Sequence, residues 1–278
     1  MQRRRGQDAG GRSGEIESEA GVKGIKTISR SRLVLALAAA LLGAGASGAG
    51  TADAQQARRT PFSAGEQATY QVKLGGISVG SGSLSVTGIQ TIGGEQTFHT
   101  VMTLRGGNAL VRVNDRFESW IDTDGLFSRR FHQNQHEARF RRNRTYDFNP
   151  EARTFRRENG QTGTIPTSQP LDDLSFIYYA RTLPLDPGAT YSLPRYFKAD
   201  GNPVVLQVLR RETITVPAGR FRTIVVRPVI QSDGLFGEGG RAEVYFSDDA
   251  HRIPVLIRSR IPVVGSLTMH MRTFRPGS

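Results

Sequence analysis

The residues best suited to chemistry in this chain are arginines. Residues 129–157 hold nine of them: Arg129, Arg130, Arg139, Arg141, Arg142, Arg144, Arg153, Arg156 and Arg157. Phe131, Phe140, Tyr146, Phe148 and Phe155 are interleaved, and only Glu137, Asp147, Glu151 oppose them. A guanidinium fork holds a carboxylate or phosphate through two parallel hydrogen bonds, and aromatic rings add stacking surface. Arg139, Arg141, Arg142 and Arg144, with Phe140 and Tyr146, are therefore the candidate anionic-ligand surface. Strand alternation puts Arg142 and Arg144 on the face of Phe140, Tyr146 and Phe148, and turns Arg139 and Arg141 the other way. The charge then divides between two faces unless a bulge intervenes. Beyond residue 54 the chain has 27 Arg and only two Lys, Lys73 and Lys198. Arginine is thus the default base here, and solvated strand faces are the competing reading.

Other chemistry is sparse. The pairs Asp172/Asp173 and Asp248/Asp249 could supply two carboxylates, but the first suits a helix cap and the second a turn. His132 and His136 would share a strand face yet lie about 13 Å apart, too far for one metal ion. Ser81 and Ser83 sit among glycines without a neighbouring base. The chain contains no nucleophile elbow, phosphate loop, dinucleotide fingerprint, zinc-protease or calcium-loop pattern. No catalytic residue, cofactor or metal is expected. A hydrolase stays open only if Ser81 or Ser83 meets a histidine and a carboxylate in the fold.

Positioning falls to strands. Tyr70–Leu74, Ser83–Thr87 and Phe98–Leu104 alternate apolar and polar residues, the mark of half-buried antiparallel strands. Val204–Val216 reads as one long strand or two, broken near Arg210-Arg211. Phe221–Ile230, Ala242–Ser247, Ile253–Ser259 and Ser266–Phe274 follow. Turn signals separate them at Gly75-Gly76, Gly93-Gly94, Asp124-Gly125, Asn159-Gly160, Asp200-Gly201, Asp233-Gly234 and Gly239-Gly240. Pro217-Ala218-Gly219-Arg220 predicts a tight hairpin with positive φ at Gly219. Pro228, Pro254 and Pro262 belong at edges, strand starts or bulges. One segment is helical: Leu171–Arg181, capped by Asp172 or Asp173, with Leu171, Leu174, Ile177 and Tyr178 on one face. It is expected to plug an open end or cover one face of the sheet. Residues 160–170 read as a loop joining two halves. The fold class is all-β: a curved antiparallel meander, a spiral roll or incomplete barrel, with one short helix near 171–181.

The N-terminal segment reads as an address. Ten apolar residues at 33–42 follow Lys23, Lys26, Arg30 and Arg32 and precede an Ala52-Asp53-Ala54 site, the layout of a secretory signal peptide. Glu15, Glu17 and Glu19 do not belong in a basic n-region, so translation is expected to begin at Val22, read as an alternative start codon. Residues 55–278 then form a single β-rich domain with a formal charge of +9, against +12 for all 278 residues. A chain of that length buries roughly 70% of its unfolded surface and needs no staples. The absence of cysteine removes disulfides, thiol chemistry and a cysteine-linked lipid anchor. No later segment has the 18 or so apolar residues of a membrane-spanning helix.

Five motifs then fall in order: Phe62-Ser63-Ala64-Gly65-Glu66; Gly75-Gly76-Ile77-Ser78-Val79-Gly80; Asp173-Leu174-Ser175 through Arg181 to Leu183-Pro184-Leu185; Thr215 to Phe221; and Glu243 to Asp249 followed by Arg252-Ile253-Pro254-Val255. This order resembles the exported bacterial family called domain of unknown function 3108. The resemblance implies an envelope-associated or periplasmic β protein of Gram-negative bacteria, a curved antiparallel sheet and no established activity. Gly76, Gly80, Asp172, Asp173, Pro217, Gly219 and Pro254 read as turn and cap positions in it. The expected role is an exported, soluble, non-enzymatic binder of an anionic or amphiphilic envelope component, such as a lipid headgroup, lipopolysaccharide or acidic polysaccharide. Export argues against nucleic acid. The alternative is an assembly partner that docks another envelope protein through strand edges or the 106–116 loop.

Overall fold

A computed structural model of the chain describes residues 60–107, 112–137, 140–229, 242–261 and 265–278. The signal segment and start-site reading, Arg139, residues 108–111, the two turns at 233–240 and Pro262 lie outside the described residues.

Fourteen strands form one antiparallel sheet. The first arm contains β1 (Gln67–Leu74), β2 (Ile77–Ile92), β3 (Glu95–Gly107), β4 (Arg112–Asp122), β5 (Ser128–Glu137), β6 (Phe140–Asn149), β7 (Thr154–Arg157) and β8 (Thr162–Thr164). The helix α1 (Ser175–Arg181) follows, and the second arm contains β9 (Thr190–Leu193), β10 (Val204–Val216), β11 (Gly219–Val229), β12 (Ala242–Ser247), β13 (Pro254–Ile261) and β14 (Gly265–Arg275). Each arm is a meander, and the arms join where β1 pairs with β14, leaving β8 and β9 as edges. Both edge strands are short, which limits edge-to-edge pairing with other chains.

The sheet is unclosed and curled around its own apolar face. Inward residues from both arms, among them Tyr70, Leu84, Met102, Phe131, Val208, Ile224, Val244 and Met271, belong to one core with the helix. Alternation thus fixes which side of each strand is buried, and the curl brings the buried sides together. The helix is more enclosed than its one-faced apolar pattern predicts. Ser175, Phe176, Ile177, Tyr178, Ala180 and Arg181 are all buried, so α1 fills the interior rather than covering one face.

Several boundaries differ from the sequence expectation for local reasons. The helix begins at Ser175, not near 171, because the Asp172 carboxylate takes the free backbone N–H groups of Leu174 and Ser175, both at 2.8 Å. Leu171 instead bridges to Tyr196 in parallel. Asp173 makes no cap; it turns inward and accepts the Tyr196 hydroxyl at 2.7 Å. Most of the 106–116 segment is strand, since β3 runs through Gly107 and β4 starts at Arg112. The 160–170 connection contains the short strand β8. Asp200-Gly201 forms a turn of 3-10 helix. Of the two readings of Val204–Val216, one long strand or two, β10 is the single strand, with a bulge between Val208 and Arg210.

The glycines separate into two roles. Gly76 and Gly219 have φ of +88° and +129°, and both stand at hairpin turns. Gly80 lies within β2 rather than in the turn before it, opposite Gly106 of β3. A Cβ at Gly80 would lie 2.1 Å from the Arg105 carbonyl, so the absent side chain permits a close backbone approach. Pro254 opens β13 at a register shift, where its missing N–H costs no ladder bond.

Candidate functional site

The arginine-rich stretch occupies β5 to β7. The β5–β6 register runs from Arg130↔Asp147 to Glu137↔Phe140 without a bulge, so simple alternation holds. Tyr146 and Phe148 enter the core, and Arg142 and Arg144 lie on that same inner face, half-buried. Arg141 is exposed on the other face. The candidate surface therefore splits: Arg142, Arg144 and Tyr146 come together, Arg141 does not, and Phe140 opens β6. Tyr146 and Phe148 are roofed by Phe197, with ring centroids at 5.1 and 5.7 Å. Gln133 and Gln135 stand opposite Arg144 and Arg142. The result is an inner-face strip, basic toward the β5–β6 hairpin and aromatic deeper in.

Charge is handled unevenly along the stretch. Arg129 pairs with Asp122 at 2.9 Å, Arg130 with Asp147, and Arg157 with Glu158 at 3.4 Å. Among the described residues, no carboxylate lies within ion-pair distance of Arg141 or Arg144. The Gln135 Oε1 atom on the same inner face is buried without a hydrogen-bond donor among the described residues.

The outer face of the second arm shows the opposite treatment. Arg227, Arg210 and Arg258 converge on Glu243 at 3.2, 3.8 and 3.9 Å. Tyr245 donates its hydroxyl to Glu243 at 2.9 Å, and Arg210 also pairs with Glu212 at 2.6 Å. Beneath lie Val225, Tyr245 and Leu256, an apolar cluster outside the main core. Burial works to raise the Glu243 carboxyl, but the bonds from Tyr245 and Arg227 and the Arg210 charge outweigh it and hold it below the ordinary range.

Two polar arrangements were not visible as motifs. Arg181 is fully buried and forks onto Glu66, with both N···O distances 2.7 Å. Its remaining donors reach the carbonyls of His251 at 2.7 Å and Pro61 at 3.0 Å. Glu66 and Arg181 belong to two of the five ordered motifs, and their pairing latches the start of β1 to the end of α1. The second centres on Asp172. Ser119 donates to its Oδ2 at 2.6 Å, while Oδ1 caps the helix. Burial pushes the Asp172 carboxyl up to about 6, against the pull of the Ser119 and Ser128 hydroxyls and the backbone N–H groups.

The outer face of β2–β4 carries a hydroxyl–imidazole–carboxylate chain. Thr87 Oγ1 lies 2.8 Å from His99 Nδ1, and His99 Nε2 lies 2.9 Å from Glu118 Oε2. Trp120 stacks on the His99 ring at 4.5 Å, and Arg116 forks onto Glu118. The serines weighed for a hydrolase do not join such a chain: Ser83 bonds Thr103 at 2.8 Å, and Ser81 is exposed. His132 bonds Thr145 at 2.8 Å and His136 is exposed. Among the described residues no group of three or more His, Cys, Asp or Glu could hold a metal ion.

A family model described as protein of unknown function (DUF3108) matches residues 69–272. No curated protein matches the chain in sequence. Among solved structures, a beta-barrel-like protein of domain of unknown function DUF1849 from Brucella abortus shares 9% identity with a TM-score of 0.48. That likeness covers 78% of this chain and 99% of the other. A candidate lipoprotein from Parabacteroides distasonis shares 10% identity with a TM-score of 0.35, covering 78% of this chain and 98% of its own.

Proposed function

We propose, for a chain that belongs to the DUF3108 family, an exported periplasmic role: non-enzymatic binding of an anionic or amphiphilic envelope component on the inner face of β5–β6. The observation that carries this reading is the placement of Arg142 and Arg144 on one inner face with Tyr146 and Phe148. Alternating guanidinium and aromatic groups suit a ligand with a charged head and an apolar body. Arg144 strengthens the reading, because a half-buried guanidinium with no carboxylate within ion-pair distance among the described residues remains available for an anion. Among the described residues no helix is long and apolar enough to cross a membrane.

The test is vesicle flotation at two salt concentrations. The full mature chain should float with vesicles containing phosphatidylglycerol and not with pure phosphatidylcholine vesicles. The Arg142→Gln/Arg144→Gln variant should bind about tenfold more weakly, since each phosphate contact carries part of the salt-sensitive affinity. No binding to the anionic vesicles at low salt, or equal binding by the variant, overturns the reading. A second reading, docking of another envelope protein, draws on the open edges β8 and β9. In-cell cross-linking from residues of those strands to one protein, with no vesicle binding, would favour it.

A further inference from the structure

A second site is suggested at the other end of the helix. A half-open cleft of about 690 Å³ lies beside the C-terminus of α1. Its apolar wall includes Leu126, Tyr179, Leu183 and Pro184, and its polar groups include Arg252 and Asp249. That volume lies within the usual range for small-molecule sites, roughly 300–1,000 Å³.

Three observations mark it as more than a surface dent. First, the Arg252 Nη1 atom is buried without a hydrogen-bond acceptor among the described residues. A buried donor left without a partner is destabilising, so the arrangement gains from an acceptor that enters from outside. Asp249 does not fill this role. Its Oδ1 takes the backbone N–H groups of His251 at 2.9 Å and Arg252 at 3.1 Å, and also the Ser247 hydroxyl at 2.7 Å. Second, backbone strain collects here. Only three non-glycine residues among those described have positive φ, and two of them, Leu126 at +51° and Arg252 at +49°, line this cleft. Such strain persists where the surroundings fix a side chain for a task. Third, the local charge is positive. Arg181 also lines the cleft but is neutralised by Glu66. Arg252 and Asp249 roughly offset each other. Arg195, stacked 4.4 Å from the Tyr179 ring centroid behind the wall, donates at 3.0 Å to the Gln169 carbonyl and more weakly to those of Gly125 and Leu126. It has no carboxylate within ion-pair distance among the described residues, so its charge is left to act on the cleft.

We infer that this cleft binds a small amphiphile whose anionic head, a carboxylate or a phosphate, is gripped by Arg252 while its apolar body lies along Leu126, Tyr179, Leu183 and Pro184. The site is separate from the inner-face strip and stands whether or not that strip binds ligand. Carboxylate and phosphate heads share the chemistry of the guanidinium fork, and geometry between them is settled by experiment.

The probes are dodecanoate and dodecyl phosphate, titrated below their micellar concentrations into the full mature protein by calorimetry, with dodecyl maltoside as the neutral control. One or both anionic probes should bind, and the maltoside should bind about tenfold more weakly or not at all. Arg252→Asn keeps a residue that tolerates positive φ while removing the guanidinium, and should weaken the anionic probe about tenfold. Leu183→Trp, which fills the cleft without touching the charge, should block it as well. The titrations are repeated in the Arg142→Gln/Arg144→Gln background, where the inner-face strip is disabled and the anionic probe that still binds reports the cleft, which separates the result from the fate of the inner-face reading. Unchanged affinity in Arg252→Asn or in Leu183→Trp, equal binding of dodecyl maltoside, or no binding by either anionic probe overturns the inference.

Discussion

The two arms of the meander use the same side chain in opposite ways. On the outer face of β10–β13, three arginines gather around Glu243 above a small apolar cluster. On β6, Arg141 and Arg144 have no carboxylate within ion-pair distance among the described residues, and Arg144 stands half-buried on the inner face. Between the arms, Arg181 is wholly enclosed and fully matched by Glu66. Burial, more than sequence density of charge, decides whether an arginine must be paired. An enclosed charge without a partner costs several kcal/mol, whereas a half-exposed one retains water. Strand β6 is therefore the less constrained region, although it belongs to the denser stretch.

The comparison breaks most visibly at the enclosed pair. Arg181→Met leaves Glu66 buried and unpaired and should destabilise the protein by about 3–5 kcal/mol in denaturant unfolding. Glu66→Leu/Arg181→Met should recover part of that loss. A single variant within about 0.5 kcal/mol of the parent would show that the latch carries little.

Asp172 gives the next largest effect, through pH. Its folded carboxyl is pushed up to about 6 from an ordinary 3.8, so the folded state holds this proton more tightly than the unfolded chain. Its contribution becomes more favourable as pH falls from 7 toward 4, by up to about 3 kcal/mol. Glu118 and Glu243 act in the reverse sense, because their carboxyls are held below the ordinary range. Their contribution is present above the ordinary carboxylate pKa and is lost as pH falls below it. Asp172→Asn keeps an oxygen to cap α1 and should flatten the slope between pH 7 and 4, read as thermal midpoint against pH. An unchanged slope would remove Asp172 as its source.

Gly219→Val comes third. Valine at φ of +129° is strained wherever space allows it, and a loss of about 1–3 kcal/mol is expected. Unchanged thermal stability would refute the turn assignment. The two surfaces then separate at small effects. Glu243→Gln should cost at most about 1 kcal/mol, and less in high salt, because its arginine partners are about half exposed. Arg144→Gln should change stability by less than about 0.5 kcal/mol while weakening binding to anionic vesicles. A larger stability loss from Arg144→Gln than from Glu243→Gln would reverse the comparison.

Much of this was legible in the residues. Ala242–Ser247 forms β12 with the expected ends, and Val204–Val216 forms β10 as one long strand, the first of its two readings. Alternation separated Arg142 and Arg144 from Arg141, because a period of two leaves a strand no other choice. The helix segment was legible, but its start was not, since Asp172 caps from three positions ahead of the first helical residue, Ser175. Gly80 shows the same limit: a glycine suits a turn and a close strand crossing equally well, and only the partner Gly106 distinguishes them.

By itself, the sequence determined the all-β class, the strand faces, the hairpin turns and the single helix, because each follows from neighbours two to four residues apart. The tertiary structure alone decided that Glu66 meets Arg181 across 115 positions, that Asp172 receives Ser119, and that Leu126, Tyr179 and Arg252 line one cleft. Those contacts depend on how two meanders curl around a helix, a long-range closure that local periodicity does not encode.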